Sequence, residues 1–404
     1  MRPEGKAEKP RLTPGETGAQ GLAREEIKGA GMDYDLAVVG GGILGLAHAW
    51  QGVRAGMRVA VFERNPAATG ATVRNFGMLA IAAQQPGPEL ESARAALAAW
   101  QEVAAGAGIS LRQAGCLFVA RRPEEMDVLA ERAAATGPDV QDFSLIAAED
   151  LAGFAPGLGK DAMGGLWSPE AWKADQRGAP AAMAAWLARV HGVHMHFGAE
   201  VTGAGAGHIE TEAGTWTARH IVVCGGNDFA RLFPGAWAQS GVSTCRLQML
   251  RTKPQPEGWR LGPFVMGGLS MTRYSAFSGC DSLAALRALQ KDTMPEAASH
   301  GVHVIIAQED DGSITLGDSH HYGQGAAPDD PARVDDLILA ETAALMKLPE
   351  PRIAARWTGH YAYAPGQALV RVDPASGVTA VTNTNGQGMT HGFTIAAETI
   401  ARIA

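Results

Sequence analysis

The hydrophobic pattern along the chain alternates short, dense apolar runs with longer segments whose apolar and small residues recur at helical spacing. Residues 34–39 and 58–62 have the near-continuous apolar character of buried parallel strands, and 44–55 between them reads as a small-residue helix. An alanine-rich helix is predicted at 89–106, a strand at 115–120, a charged helix at 123–136 and a mixed helical and loop-like stretch at 145–156. A second alanine-rich helix at 178–190 leads into a strand at 193–197 and a hairpin of alternating residues through 209–218. The run 219–223 ends in Cys224-Gly225-Gly226 and reads as another buried parallel strand. Further strands are predicted at 242–252, 265–277, 302–307 and 313–318, with helices near 281–291 and 331–347. A strand at 378–382 and a helix at 390–403 close the chain.

Both ends of this pattern carry a glycine-rich turn between a strand and a helix. The first holds Gly40, Gly42 and Gly45, with Ile43 and Leu44 opening the helix. Gly40 permits a tight turn, Gly42 lets backbone approach a pyrophosphate, and Gly45 lets helix pack on strand, while the helix N-terminus offers free N–H groups to the anion. Glu63, followed by Arg64, ends the second strand where a carboxylate can accept hydrogen bonds from a ribose. The second turn, Asn385-Gly386-Gln387-Gly388-Met389-Thr390, offers backbone N–H groups and a helix N-terminus of its own. Together the turns point to one long cofactor gripped twice. The segment 65–78 between Glu63 and the next helix is rich in Gly, Asn and Thr and reads as a loop that approaches the same ligand closely.

Composition narrows the class. With 404 residues and 46% hydrophobic content, the chain is long enough for two lobes. We assign residues 32–110, parts of 145–235, and 355–404 to a discontinuous cofactor-binding domain. Residues 111–144 and 236–354 are assigned to a substrate domain, and 1–31 are read as a disordered extension or a start assigned too early. A net charge of −8 argues against nucleic acid and anionic membranes, so any anionic substrate has to be met by local cations. Four cysteines without CxxC spacing make a disulfide framework or zinc site unexpected and favour the cytoplasm. No run is long and apolar enough to suggest a membrane span or a signal peptide, and no His, Cys or Asp cluster has ligand spacing, so no metal is expected.

Three segments resemble the FAD-dependent D-amino-acid oxidase superfamily, which includes glycine oxidase and sarcosine oxidase. They are the 38–63 unit, the loop Thr72-Val73-Arg74-Asn75-Phe76-Gly77-Met78 with the residues just before it, and the closing turn at 386–390. The resemblance implies an α/β chain with an FAD-binding Rossmann-like lobe of the glutathione-reductase type and an α+β substrate lobe with a mixed or antiparallel sheet. It also implies FAD held through the residues named above together with Gly225. The FAD is expected to be non-covalent, because no cysteine follows Cys280, whereas some sarcosine-oxidising members tether the flavin to a C-terminal cysteine. Within the superfamily, 73–78, 247–252 and 359–362 are similar to a branch associated with bacterial phosphonate degradation. That similarity implies oxidation of 2-aminoethylphosphonate or its N-methyl derivative by molecular oxygen, giving an aldehyde, the released amine and hydrogen peroxide. A glycine or sarcosine oxidase, a dehydrogenase with another acceptor, and a non-catalytic flavin-binding regulator are the competing readings, and the oligomeric state, monomer or dimer, is open.

Arg74 is the candidate cation beside the ring, since a fixed positive charge there promotes reaction with oxygen; the alternative is an arginine bonding loop carbonyls. For the anionic end of the substrate, Arg246, Gln248, Arg273, Tyr274, His360 and Tyr361 are candidates, with Tyr274 and His360 also placed in catalytic roles. His320 and His321 end a strand nearby in sequence. Alternation on the 245–251 strand sets Arg246 and Gln248 on one face and Met249 and Arg251 on the other, and either face can meet the pocket. Trp167, Trp172 and Trp357 read as core, with an aromatic wall against the ring as the alternative, Arg177 as a helix-start ion pair or a pocket residue, and His48 as a packed helical residue.

Overall fold

The computed structural model describes residues 33–135, 140–323 and 325–404. The extension read at 1–31 and the final residue of the predicted 123–136 helix lie outside them. Tyr34–Val39 is apolar toward both faces, which suits it to the interior of a sheet. It pairs in parallel with Gly214–Val223 on one side and Val59–Glu63 on the other. His194–Phe197 adds beyond Val59–Glu63, and Val378–Asn383 adds beside Gly214–Val223, so the closing strand joins the sheet that the opening strand founded. Antiparallel strands complete an eight-stranded sheet. On one face Leu36, Val38 and Val61 pack against helices Ile43–Arg54, Pro88–Ala107, Ala179–His191 and Gly388–Ile403. There Phe393 packs edge-to-face with Trp50 and Trp100 at ring distances of 5.4 and 5.2 Å.

A nine-stranded mixed sheet forms the second layer, with Ser243–Thr252 paired along its whole length to Ile353–Tyr363. The latter strand went unrecognised because Arg, Trp, His and Gly break its alternation. Its residues 355–363 fall in a segment expected with the cofactor lobe but pair within this second sheet, as do the strands Ser144–Ala147 and Gly164–Ser168, which lie largely in the 145–235 stretch expected with that lobe only in part. The expected strand at 265–277 is also corrected. Phe264–Met266 is extended, but Gly267 and Gly268 turn the chain into a short helix, Gly268–Met271, followed by a 3-10 turn at Ser275–Phe277. A Cβ on Gly268 would stand 2.1 Å from Glu125 Oε1, so only glycine admits this approach. Arg273 and Tyr274 thus sit on a connection rather than in a strand.

Candidate active site

The cofactor cradle starts with local geometry. Gly40 has φ of 111°, and a Cβ there would lie 2.4 Å from the Cys224 carbonyl oxygen; one on Gly45 would lie 1.9 Å from the Gly40 carbonyl oxygen. The two glycines are therefore what lets the Ile43–Arg54 helix start hard against the Tyr34–Val39 and Gly214–Val223 strands. No side chain of its own caps this helix; instead Thr72 Oγ1 accepts from the Ile43 N–H at 3.0 Å. Because Thr72 is the acceptor there, its hydroxyl proton remains available to a phosphate oxygen. Glu63 Oε2 accepts from the Gly41 N–H at 2.8 Å and Oε1 from the Asn65 N–H at 2.9 Å, which fixes the carboxylate at the strand end. At the other turn Asn385 and Gly386 adopt φ of 61° and 73°, and Gln387 gives the Gly388–Ile403 helix no side-chain cap.

The two turns and the 65–78 loop enclose a cavity of about 750 Å³. Gly40, Gly42, Ile43, Leu44, Gly45, Glu63, Arg64, Thr72, Arg74, Asn75, Phe76, Met78, Gly225, Asn385, Gly386, Gly388, Met389 and Thr390 all line it. Gly77 sits behind the lining, with φ of 66° and the Ala174 carbonyl oxygen 2.2 Å from where a Cβ would stand. The residues present fit FAD: a helix start at each turn with no side-chain cap from its own N-cap residue, glycines that leave backbone bare, and Asn385 Oδ1, a buried acceptor with no hydrogen-bond partner. Arg74 donates from Nε to the Thr69 carbonyl at 2.8 Å and from Nη1 to the Thr358 carbonyl at 2.9 Å, so it ties the loop to the second sheet while lining the cavity.

The same cavity is lined by Leu247, Met249, Arg273, Tyr274, His303, Asp318, His320, His360 and Tyr361. The face of Ser243–Thr252 that meets it is the one bearing Leu247 and Met249. Arg246 and Gln248 are therefore removed from the substrate contacts. Gln248 Nε2 donates to the Pro331 carbonyl at 2.8 Å and to Asp335 Oδ1 at 2.7 Å, held by the helix Pro331–Leu345. Arg273 is half-buried and donates from Nη2 to the Tyr361 hydroxyl at 3.0 Å. Burial raises the Tyr274 and Tyr361 phenols well above their ordinary value, so both stay protonated. Burial, then the charges of Arg246 and Arg74, lowers His360, which is neutral at pH 7.

His303 and Asp318 escaped the sequence reading, which singled out only their neighbour His320. Their one signal was polarity inside or just after an apolar run. Burial pushes His303 down to about 3 and Asp318 up to about 7, so their 3.1 Å contact is no ordinary ion pair. His303, Asp318 and His320 gather on the cavity wall, although nothing in the sequence spacing announced it. Trp167, Trp172 and Trp357 do not line the cavity. Arg177 pairs with Asp311 at 3.1 Å, and His48 is fully buried in its helix with Nδ1 on the Leu44 carbonyl at 2.7 Å.

Residues 35–402 match the FAD dependent oxidoreductase family, and the chain belongs to it, with FAD as cofactor. It is 29% identical over 211 residues to a glycine oxidase of Bacillus licheniformis, an alignment that takes in 48% of this chain and 54%, about half, of that protein. The fold superposes on the glycine oxidase of Geobacillus kaustophilus with a TM-score of 0.70 at 18% identity, covering 92% of this chain and 94% of the other. It also superposes on L-alpha-glycerophosphate oxidase of Mycoplasma pneumoniae, solved with FAD bound, with a TM-score of 0.65 at 17% identity over 92% and 94% of the two chains. Among the described residues no helix is long and apolar enough to cross a membrane, and all four cysteines are free.

Proposed function

We propose that this protein is an oxidase of a small amine bearing an anionic group, with 2-aminoethylphosphonate or its N-methyl derivative as substrate and the cytoplasm as its location. The primary amine, oxygen and water would yield phosphonoacetaldehyde, ammonia and hydrogen peroxide; the N-methyl form would release methylamine. Arg273 carries the reading. It is a half-buried cation on the cavity wall that gives a donor to Tyr361 and keeps others of its fork for an oxyanion. Tyr274 and Tyr361, held as phenols, add neutral donors, whereas His360 pairs opposite Arg246 and shares its face of the sheet. Bound FAD supplies the two-electron acceptor. The chain's own part is to bring the substrate carbon to it, exclude water and hold the amine unprotonated.

The likeness to glycine oxidase supports a second reading, an oxidase or dehydrogenase of glycine or sarcosine. Peroxide release and anaerobic flavin bleaching with 2-aminoethylphosphonate, its N-methyl form, glycine and sarcosine separate the two. A higher kcat/KM for either phosphonate than for both amino acids is expected. Preference for glycine or sarcosine would replace the first reading with the second, and bleaching without peroxide would replace the oxidase with a dehydrogenase.

A further inference from the structure

Asp318, which follows the strand Ile314–Gly317, lines the cavity with a side chain only 9% exposed. A carboxylate so deeply buried is normally met by donors, because burial without hydrogen bonds costs free energy. Here no side chain among the described residues donates to it. Oδ1 has no hydrogen-bond partner: His303 Nε2 stands 3.1 Å away without forming one, and His320 Nδ1, at 3.9 Å, is committed to the Gly301 carbonyl at 2.9 Å. The two imidazoles stack on each other instead, 5.1 Å between centroids and 20° between planes.

The titratable groups facing Asp318 are His303, His320, Arg273, Tyr274, Tyr322 and Cys245. Burial lowers both imidazoles and raises both phenols and the thiol, so at neutral pH Arg273 is the one charge among these six. Among the described residues Arg273 has no ion-pair partner, and its Nη2 donates to the Tyr361 hydroxyl. One cavity wall thus carries a cation and a carboxylate that do not pair with each other. A short ligand with an anionic group at one end and an ammonium at the other complements both, and the ammonium brings the donors that the carboxylate lacks. Burial raises Asp318 to about 7 against the opposing pull of Arg273, so near neutral pH it can hold either a charge or a proton.

We propose that Asp318 receives the substrate's nitrogen: its carboxylate accepts N–H bonds from the ammonium and takes one of the protons, leaving a neutral amine beside a carboxylic acid. The broken N–H bond leaves its electron pair on nitrogen as the free lone pair, and the proton moves to a carboxylate oxygen. This rests on the reading of the protein as an amine oxidase. It sets the substrate class as a zwitterion whose anionic end, phosphonate or carboxylate, meets Arg273.

Stopped-flow reduction of the holoenzyme without oxygen gives the Kd and limiting rate for an amine, and flavin absorbance changes give the Kd of a matching anion that lacks nitrogen. 2-Aminoethylphosphonate is paired with ethylphosphonate and glycine with acetate, and the pair whose amine bleaches the flavin is read. In Asp318→Asn, which keeps the shape and removes the charge, the amine should bind roughly 10 to 100 times more weakly, the loss of one charged hydrogen bond. The matching anion should bind as before or tighter, which also shows that the variant is folded with its pocket intact. The limiting rate at pH 7 should fall on the order of 100-fold and recover as rising pH delivers the amine unprotonated. Equal weakening of amine and anion, an unchanged amine Kd, or an unchanged limiting rate at pH 7 overturns the proposal and leaves the amine-oxidase reading in place. Bleaching by neither amine overturns both.

Discussion

Lys173 Nζ lies 2.9 Å from Glu309 Oε2 with both side chains almost wholly buried, an ion pair between the Trp172–Ala174 strand, which pairs with Met78–Leu79, and the residue that follows the Ile305–Gln308 strand of the nine-stranded sheet. Gln176 shares the network. It accepts from Lys173 at 2.7 Å and donates to the Asn75 carbonyl at 2.8 Å, so the pair braces the loop that lines the FAD cavity. Removing one partner strands the other charge in the interior. Lys173→Met should cost about 3 to 5 kcal/mol in urea unfolding and weaken FAD retention. The double variant Lys173→Met/Glu309→Met should recover most of that stability; if it is no more stable than the single variant, the stranded charge is not the cause.

Glu63 holds the first turn through the Gly41 and Asn65 N–H groups and is expected to accept from the FAD ribose as well. Hydrogen bonds to a charged group contribute about 1.5 to 3 kcal/mol. FAD titration of the Glu63→Ala apoprotein, followed by fluorescence quenching, should therefore give a Kd about 10 to 100 times weaker.

Gly45→Val should yield a chain without bound FAD. Even a Cβ meets the Gly40 carbonyl at 1.9 Å, so the branched side chain must push the helix off the strand and open the pyrophosphate cradle. A yellow, FAD-saturated Gly45→Val protein would show that the turn has slack the geometry does not suggest.

One variant separates the two roles proposed for Arg74. Arg74→Met should slow reoxidation of the reduced enzyme by oxygen in stopped-flow measurements if the cation acts on oxygen. Lost contacts to Thr69 and Thr358 should appear instead as faster FAD dissociation. An unchanged reoxidation rate would leave Arg74 with the second role alone.

His48 makes stability pH-dependent. Burial pushes it down to about 4, whereas in the unfolded chain it titrates near its ordinary ~6.5. The folded state thus takes up its proton later than the unfolded one as pH falls. Its contribution is complete above pH ~6.5 and is lost progressively as pH falls toward 4, about 3 kcal/mol in all. Thermal melts from pH 8 to 4 should show His48→Met with a shallower acid limb than the unsubstituted protein.

The cofactor cradle is legible in local sequence. Gly40, Gly42 and Gly45, the apolar strands around them and the acidic strand end at Glu63 are local signals, because turn conformation, helix start and strand burial are each written within a few residues. Tertiary structure alone decided the substrate side. Which face of Ser243–Thr252 meets the cavity depended on Pro331–Leu345 packing onto Gln248 from the other side, and alternation is symmetric until a partner breaks it. Arg273 and Tyr274 owe their place to the Gly267-Gly268 turn and the close approach of Glu125. His303, Asp318 and His320 converge because the strands Ile305–Gln308 and Ile314–Gly317 pair antiparallel and bring their flanking residues together. Such convergence belongs to sheet register, which no spacing along the chain encodes.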